Sequence, residues 1–265
     1  MTRDAEEHDG TGFANGLLDS LHSEDASRLR PLLSPIVCKG GQRLALTDTD
    51  SLVYFPQTMV ACLSLRSFRT GVALVGREGM IGWSALLGPG NQEHEATVLL
   101  EGGTALTVPI GELKAACLAS PTLFLSVLGF LQSHTLQMGR MIRACGRASL
   151  KQRVCAWLLM LHDRTDGNFI RITHDVLATH LAVRRASVTE VLHHLEGEHS
   201  VRCERSLLFV RDRGELELTA GKAYCGADAL PRSTQMPDPE RTLTVIPHIG
   251  SAAHPDLQPI MVGRR

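Results

Sequence analysis

The 265-residue sequence contains no run of 18 or more apolar residues, so no stretch of it reads as a membrane-spanning helix. It begins MTRDAEEHDGTG, acidic and polar where a secretion leader is basic and then apolar, and the expected location is the cytoplasm with no membrane partner. Cysteines at metal or redox spacing are missing as well. The seven present (Cys38, Cys62, Cys117, Cys145, Cys155, Cys203, Cys225) are scattered, odd in number and include no C-x-x-C pair, which fits reduced, mostly buried thiols rather than a disulfide framework. A nucleophile elbow, a phosphate-cradling glycine loop, a dinucleotide fingerprint and a His-rich metal motif are all lacking. Between Val37 and Pro109 the one histidine is His94, whereas a cupin-like metal enzyme needs several histidines and a carboxylate around an open coordination position. The expectation is a non-enzyme without metal or cofactor, with Glu78, Glu93 and Glu95 as turn residues on solvated faces.

Net charge is also small, −1 overall, but it is unevenly spread. Residues 1–139 hold 9 Lys+Arg against 14 Asp+Glu, residues 140–213 hold 13 against 8, and the remainder holds 5 against 6. A local basic excess is what a nucleic-acid binder needs, because displacing counterions from phosphates supplies much of its affinity.

Within the basic region lies ITHDVLATHLAVRRASVTEVLHHLE, Ile172 to Glu196. Val176, Leu177, His180 and Leu181 recur at helical spacing, and after a break at Ala182-Val183 so do Val188, Val191, Leu192 and Leu195. Two short amphipathic helices joined by a tight turn are predicted. Thr173 is placed to cap the first, with Asp175 in its first turn where the helix dipole favours an anion. Left outside are Arg184, Arg185, Ala186, Ser187, Thr189, Glu190 and His193, which include groups of the kind that contact phosphates and major-groove base edges.

Ahead of this stretch, LLDSLHSEDASRLRPLL (Leu17 to Leu33) predicts one or two short helices. From Ile36 to Pro109 short apolar runs alternate with Gly, Pro and Asp, the texture of a β-roll or barrel. From Thr122 the pattern turns helical, with Pro121 suited to a first turn. Phe124, Leu131, Met138 and Cys145 repeat every seven residues and Val127, His134 and Met141 repeat at the complementary offset, an a/d seam of about three heptads. Leu128 and Ile142 widen the stripe, here taken to face the roll, while His134 is expected to meet its twin across a two-fold axis. Ala148 to Arg164 predicts a further helix with Val154, Trp157, Leu158 and Leu161 inward. Phe169 to Ile172 predicts a strand, Val201-Arg202-Cys203 and Leu207 to Val210 a hairpin, and Asp212 to Tyr224 a last small helix.

The pattern T-x-x-x-L-A-x-x-L-x-V-x-R-x-x-V-T-x-x-L-x-x-L, starting at Thr173, resembles the helix-turn-helix of the Crp/Fnr superfamily of bacterial transcription regulators. GVALVGREGMIG, LLG and ATVLLEGGTALTVP resemble that superfamily's effector domain. The resemblance implies an α+β fold: an N-terminal β-roll (cyclic-nucleotide-binding-like) sensor domain, a long dimerisation helix and a C-terminal winged helix-turn-helix. The corresponding boundaries are 1–16 disordered, 17–118 roll, 119–147 dimer helix, 148–225 winged helix and 226–265 a disordered Pro-rich tail, which holds six of the twelve prolines and ends Gly263-Arg264-Arg265. It further implies a homodimer on palindromic double-stranded DNA, with RNA polymerase as a further partner. DNA contacts fall to Thr173, His174, Arg184, Arg185, Ser187, Thr189, Glu190, His193, Arg202 and Arg205, and dimer contacts to the seven seam residues from Phe124 to Cys145.

Several positions depart from the family pattern. Trp83 stands where relatives place the carboxylate that holds a cyclic nucleotide's ribose, and His94-Glu95 stand where they clamp its phosphate, so cyclic AMP is expected not to bind. Trp83, Leu86, His94, Glu95 and Leu99, with Leu106, are instead expected to line a pocket for an unknown small-molecule effector. Ala182 and Ser206 replace the glycines usual in the helix-turn-helix turn and at the wing tip. Arg184 replaces a capping Ser or Thr, and of the base-reading Arg-Glu-x-x-x-Arg set, Arg185 alone is kept.

Overall fold

The computed structural model describes residues 12–44, 46, 51–65, 68–88 and 94–224, all within a compact unit that ends at Ser233. The tail 226–265, Cys225, Glu93 and residues 1–11 lie outside the described residues. Of the stretch 1–16 expected to be disordered, residues 12–16 are described, and Asn15 is fully buried there. Its side chain caps helix α1 (Gly16–Asp19) by accepting from the Leu18 N–H at 3.1 Å and donates to the Pro56 and Gly79 carbonyls at 2.8 and 2.9 Å. A buried amide so fully used ties the N-terminal segment to the roll.

After helix α2 (Ser23–Leu29) come strands β1 (Ser34–Lys39), β2 (Arg43–Leu44), β3 (Leu52–Pro56), β4 (Ala61–Leu65), β5 (Phe68–Val75), β6 (His94–Val98) and β7 (Gly102–Pro109). They form two antiparallel sheets in the orders β1-β7-β3 and β2-β6-β4-β5. Alternation along a strand decides what each side chain faces. In β3, Tyr54 packs between the sheets with Met59, Ala61, Leu63, Ala73 and Ile81, while Val53 and Phe55 face the helices at Leu17, Leu18, Leu29, Leu113 and Leu123. In β4 and β5, Cys62 and Leu74 point away from the roll and join Trp157, Leu177 and Leu181 in the core of the C-terminal part. Both faces of these strands are covered, which is why MVACLSL and GVALV lack apolar-polar alternation, with even Ser64 buried.

Helix α3 (Ile110–Ala119) follows the roll and packs Ile110, Leu113, Ala116 and Cys117 inward. Helix α4 (Pro121–Arg147) starts at the N-cap Ser120, whose oxygen accepts from the Leu123 N–H and whose hydroxyl donates to the buried Asp25 at 2.5 Å. No single described helix is long and apolar enough to cross a membrane.

The seam expected on α4 is divided between two faces. Val127, His134 and Met141 are buried within their own chain: Val127 beside Val53 and Phe55, Met141 with Trp157, and His134 against the rings of Phe130 (5.6 Å) and Trp83 (5.7 Å). These three side chains are spent inside the chain, where an exposed seam was expected. Leu128 and Ile142 in turn point away from the roll, 38% and 67% exposed, in line with Phe124 at 45%. The seven-residue repeat is real, but the chain's own core occupies one side of it.

Beyond α4, helix α5 (Leu150–His162) buries Val154, Trp157, Leu158 and Leu161 as expected, and opens with a capping box between Ser149 and Gln152. Then come β8 (Phe169–Ile170), α6 (His174–Leu181), α7 (Arg185–Gly197), β9 (Val201–Glu204), β10 (Leu207–Val210) and α8 (Arg213–Ala220), the three strands forming a sheet in the order β8-β10-β9. The strand expected over 169–172 stops at Ile170, and Ile172 is spent in the core instead. Tyr224 and Arg213 both bond the Asp163 carboxylate, closing α8 onto α5.

Candidate nucleic-acid interface

Helix α6 begins at Thr173, whose hydroxyl oxygen accepts from the Val176 N–H at 3.2 Å. Leu177 and Leu181 of α6 pack with Val188, Leu192 and Leu195 of α7. This packing turns the opposite face of α7 outward: Arg184, Arg185, Ala186, Glu190 and His193 are exposed, Ser187 and Thr189 half-buried. An open groove of about 850 Å³ runs along Arg185, Ala186, Thr189, Glu190, His193 and Gly197. The hairpin of β9 and β10 carries Arg202, which pairs with Glu204 at 3.0 Å, and ends at Arg205 and Ser206. Both partners of the Arg202 pair are more than half exposed, so it is weak and exchangeable for a phosphate.

The departures at the turn and the wing tip leave the backbone shape in place. Ala182 has φ 54° and ψ 48°, and Ser206 has φ 61°, the left-handed region that glycine enters without cost and other residues do not. Side chains are carried there under strain, while the turn between α6 and α7 keeps its form. Ala182→Gly is therefore expected to stabilise the protein by about 1 kcal/mol, a rise in Tm of about 2–4 °C in a thermal melt. An unchanged or lowered Tm would count against strain at this turn. Arg184 occupies the N-cap of α7 with no side-chain hydrogen bond to the helix, so its guanidinium projects outward.

His174 links the two helices, its Nδ1 lying 2.9 Å from the Thr189 Oγ1. Burial, then the nearby Arg185 and His193, hold its pKa below the ordinary imidazole value.

The expected effector pocket does not assemble. Trp83 and Leu86 pack with Leu106 and Phe130 on the helix side of the roll, whereas Leu99 belongs to the core around Trp157. The place beside Trp83 is filled by His134. Glu95 pairs with Arg43 at 3.1 Å, and His94 is described only through its strand. A cavity of about 580 Å³ lies elsewhere, between the sheet and α6, where Arg43, Ser64, Glu95 and Leu99 meet Thr173, Asp175, Thr179 and His180. Of its residues there, the sequence points to Thr173 as a cap and DNA contact, Asp175 as a first-turn anion and His180 as a core position, and to none of them as lining a cavity.

Among the described residues no group of three or more His, Cys, Asp or Glu is placed to hold a metal ion. Burial pushes the Cys155 thiol up to about 12 and Cys203 to about 11, and Cys62 is raised further, so these sulfurs stay protonated at neutral pH.

A family profile described as a Crp-like helix-turn-helix domain matches residues 152–219, from α5 through most of α8. No curated protein sequence matches the chain. Among solved structures, the chain is similar to a Eubacterium rectale protein assigned to the Crp/Fnr family of transcriptional regulators, at 18% identity and a TM-score of 0.60, covering 77% of this chain and 97% of that one. It is also similar to a Crp/Fnr-family transcriptional regulator from Thermus thermophilus (21% identity, TM-score 0.58, covering 71% and 98%). A third is FixK2 from Bradyrhizobium japonicum (14% identity, TM-score 0.60, covering 71% and 96%). The chain thus carries a Crp-like helix-turn-helix in the fold of Crp/Fnr regulators: an N-terminal β-rich domain, a long helix and the helix-turn-helix at the C-terminal end.

Proposed function

We propose that this chain is a homodimeric, sequence-specific DNA-binding transcription regulator that reads a palindromic operator with α7. The observation that carries this reading is the outward face of α7 in a Crp-like helix-turn-helix, with Arg184 exposed at its N-cap and Arg185, Glu190 and His193 exposed along an open groove. Pairing through α4 is supported by the apolar stripe of Phe124, Leu128 and Ile142 left facing solvent. Two heads related by a two-fold axis then enter major grooves about 34 Å apart. The turn and wing shapes at Ala182 and Ser206 favour DNA reading over the alternative of a divergent regulator-like protein that has lost sequence-specific reading and acts through protein partners or ligand sensing. In this reading a small-molecule effector, other than cyclic AMP, has its place in the cavity between the sheet and α6 rather than beside Trp83, and RNA polymerase is the machinery acted on.

The test is stoichiometry. Sedimentation of the protein with a duplex carrying a symmetric site is expected to show two protomers per duplex, and one protomer per duplex at saturation would sink the dimeric reading. A dependence on pH also follows. Folding holds His174 neutral, so the stability this gives is present at neutral pH and is lost as pH falls below the ordinary imidazole range. A DNA phosphate beside His174 reverses the preference and favours the imidazolium. Binding then takes up a proton, and affinity is expected to rise as pH falls from about 8 to 6, by up to roughly tenfold per unit. His174→Asn keeps a polar partner for Thr189 and should flatten that slope; an identical slope by fluorescence anisotropy would remove His174 from the interface.

A further inference from the structure

Three glycines in and just after β5 each admit one large side chain. A Cβ on Gly71 would lie 2.6 Å from the Cys62 Sγ and 2.8 Å from the Trp157 ring, one on Gly76 would lie 2.9 Å from the Arg164 Cγ, and one on Gly79 would strike Phe130 of α4. These distances are shorter than real contacts, so each position requires that no side chain stand there. Trp157, seated on Gly71, stacks on His180 of α6 with ring centres 5.5 Å apart and planes 12° from parallel. Arg164, following α5, is 2% exposed; its Nε donates to the Glu78 Oε1 at 2.8 Å, with Nη2 in ion-pair range of the same oxygen at 2.7 Å, and its Nη1 donates to the Met160 carbonyl at 2.7 Å. Glu78, expected on a solvated turn, is the counter-ion of a buried guanidinium. Arg77 with Asp166 (2.8 Å) and Arg171 with Glu101 (3.3 Å) span the same seam at the surface, where such pairs are weak.

We propose that Gly71, Glu78, Trp157 and Arg164 form a docking track that holds the helix-turn-helix head in one attitude on the roll, and that these residues, none of which touches DNA, set the spacing between half-sites that the dimer accepts. The inference rests on the dimeric, operator-reading function proposed above. The physical reason is the nature of the contacts. A head on a free hinge would follow half-sites displaced along and around the duplex, whereas an aromatic seated on bare backbone and a buried guanidinium held by both the Glu78 carboxylate and the Met160 carbonyl are confined to one close-packed arrangement. Adding one base pair between half-sites rotates one relative to the other by roughly 35° and moves it by about 3.4 Å, a change the docked head meets only by deforming the duplex or leaving the track.

The test uses the full-length protein, a symmetric duplex from binding selection, the same duplex with one or two base pairs inserted or removed at its centre, and an isolated half-site. The variants are Glu78→Gln, which keeps the shape and removes the charge, and Gly71→Ala, which lifts Trp157. Wild-type protein is expected to lose roughly 100-fold in affinity on a one-base-pair insertion, and Glu78→Gln less than about tenfold, with half-site affinity equal within about twofold. A variant that keeps the wild-type spacing penalty overturns the proposal, as does a half-site affinity that falls in step with the full site, because the contacts would then be supporting the head itself. Wild-type indifference to spacing overturns it while leaving the dimer reading intact. Failure of the wild-type protein to bind any symmetric duplex brings down the proposed function first, and the track with it.

Discussion

Replacing Leu128 and Ile142 together by glutamate is expected to turn the protein into a monomer. Both side chains stand on the solvent face of α4, in line with Phe124 and separated by about 21 Å of helix, and neither packs into the chain's own core. The fold should therefore survive, with an unchanged circular dichroism spectrum, while an apolar interface becomes one in which carboxylates meet across a two-fold axis. Like charges placed so cost several kcal/mol; about 4 kcal/mol weakens dimerisation roughly a thousandfold. Sedimentation velocity reads the outcome directly, and persistent dimers would show that the interface lies elsewhere. The same substitution at Val127 or Met141 would test nothing of the kind, since those side chains hold α4 to its own chain.

Arg185→Ala is the second large effect. Arg185 opens α7, is exposed, and lies on the groove beside Ala186, Thr189 and Glu190. A guanidinium there matches the O6 and N7 acceptors of guanine, and its loss should cost about 1–3 kcal/mol and relax the preference at one operator position. Arg205→Ala at the wing tip is expected to behave differently, weakening all sequences alike and lowering the slope of affinity against salt by about one. Anisotropy with matched and mismatched duplexes separates the two. An Arg185→Ala profile that falls uniformly, without loss of discrimination, would reassign it to phosphate.

How far these features can be read from residues alone depends on whether one face or two are in play. Helices α6 and α7 were legible because each has a single apolar stripe, with a cap at Thr173 and one outward face. Helix α4 was harder, because its apolar band is wide enough to serve two partners and a seven-residue repeat does not say which part the roll takes. Val127 and His134 fell to the roll side and Met141 to the core around Trp157; Phe124, Leu128 and Ile142 fell to neither. Trp83 reads as a pocket residue because the family pattern it resembles places a ribose-holding carboxylate at that position, but only the fold places His134 against it. The roll reading also passes over α3, although Ile110, Leu113 and Cys117 recur at helical spacing. The docking of the head left a trace in the sequence: GVALV and MVACLSL lack the alternation of a half-solvated sheet, and the partner covering their second face is Trp157 with its neighbours.

The central claim, that α7 in a two-fold pair reads DNA sequence, is tested most directly by selection from random duplex DNA with the purified protein, followed by affinity measurements on the enriched sequences across a salt series. The account predicts a two-fold symmetric motif with half-sites about one helical turn apart, binding that weakens with salt as several phosphate contacts require, and a guanine preference that Arg185→Ala removes. Binding that tracks salt while enriching no motif, or that enriches a single asymmetric site held by one protomer, would contradict it.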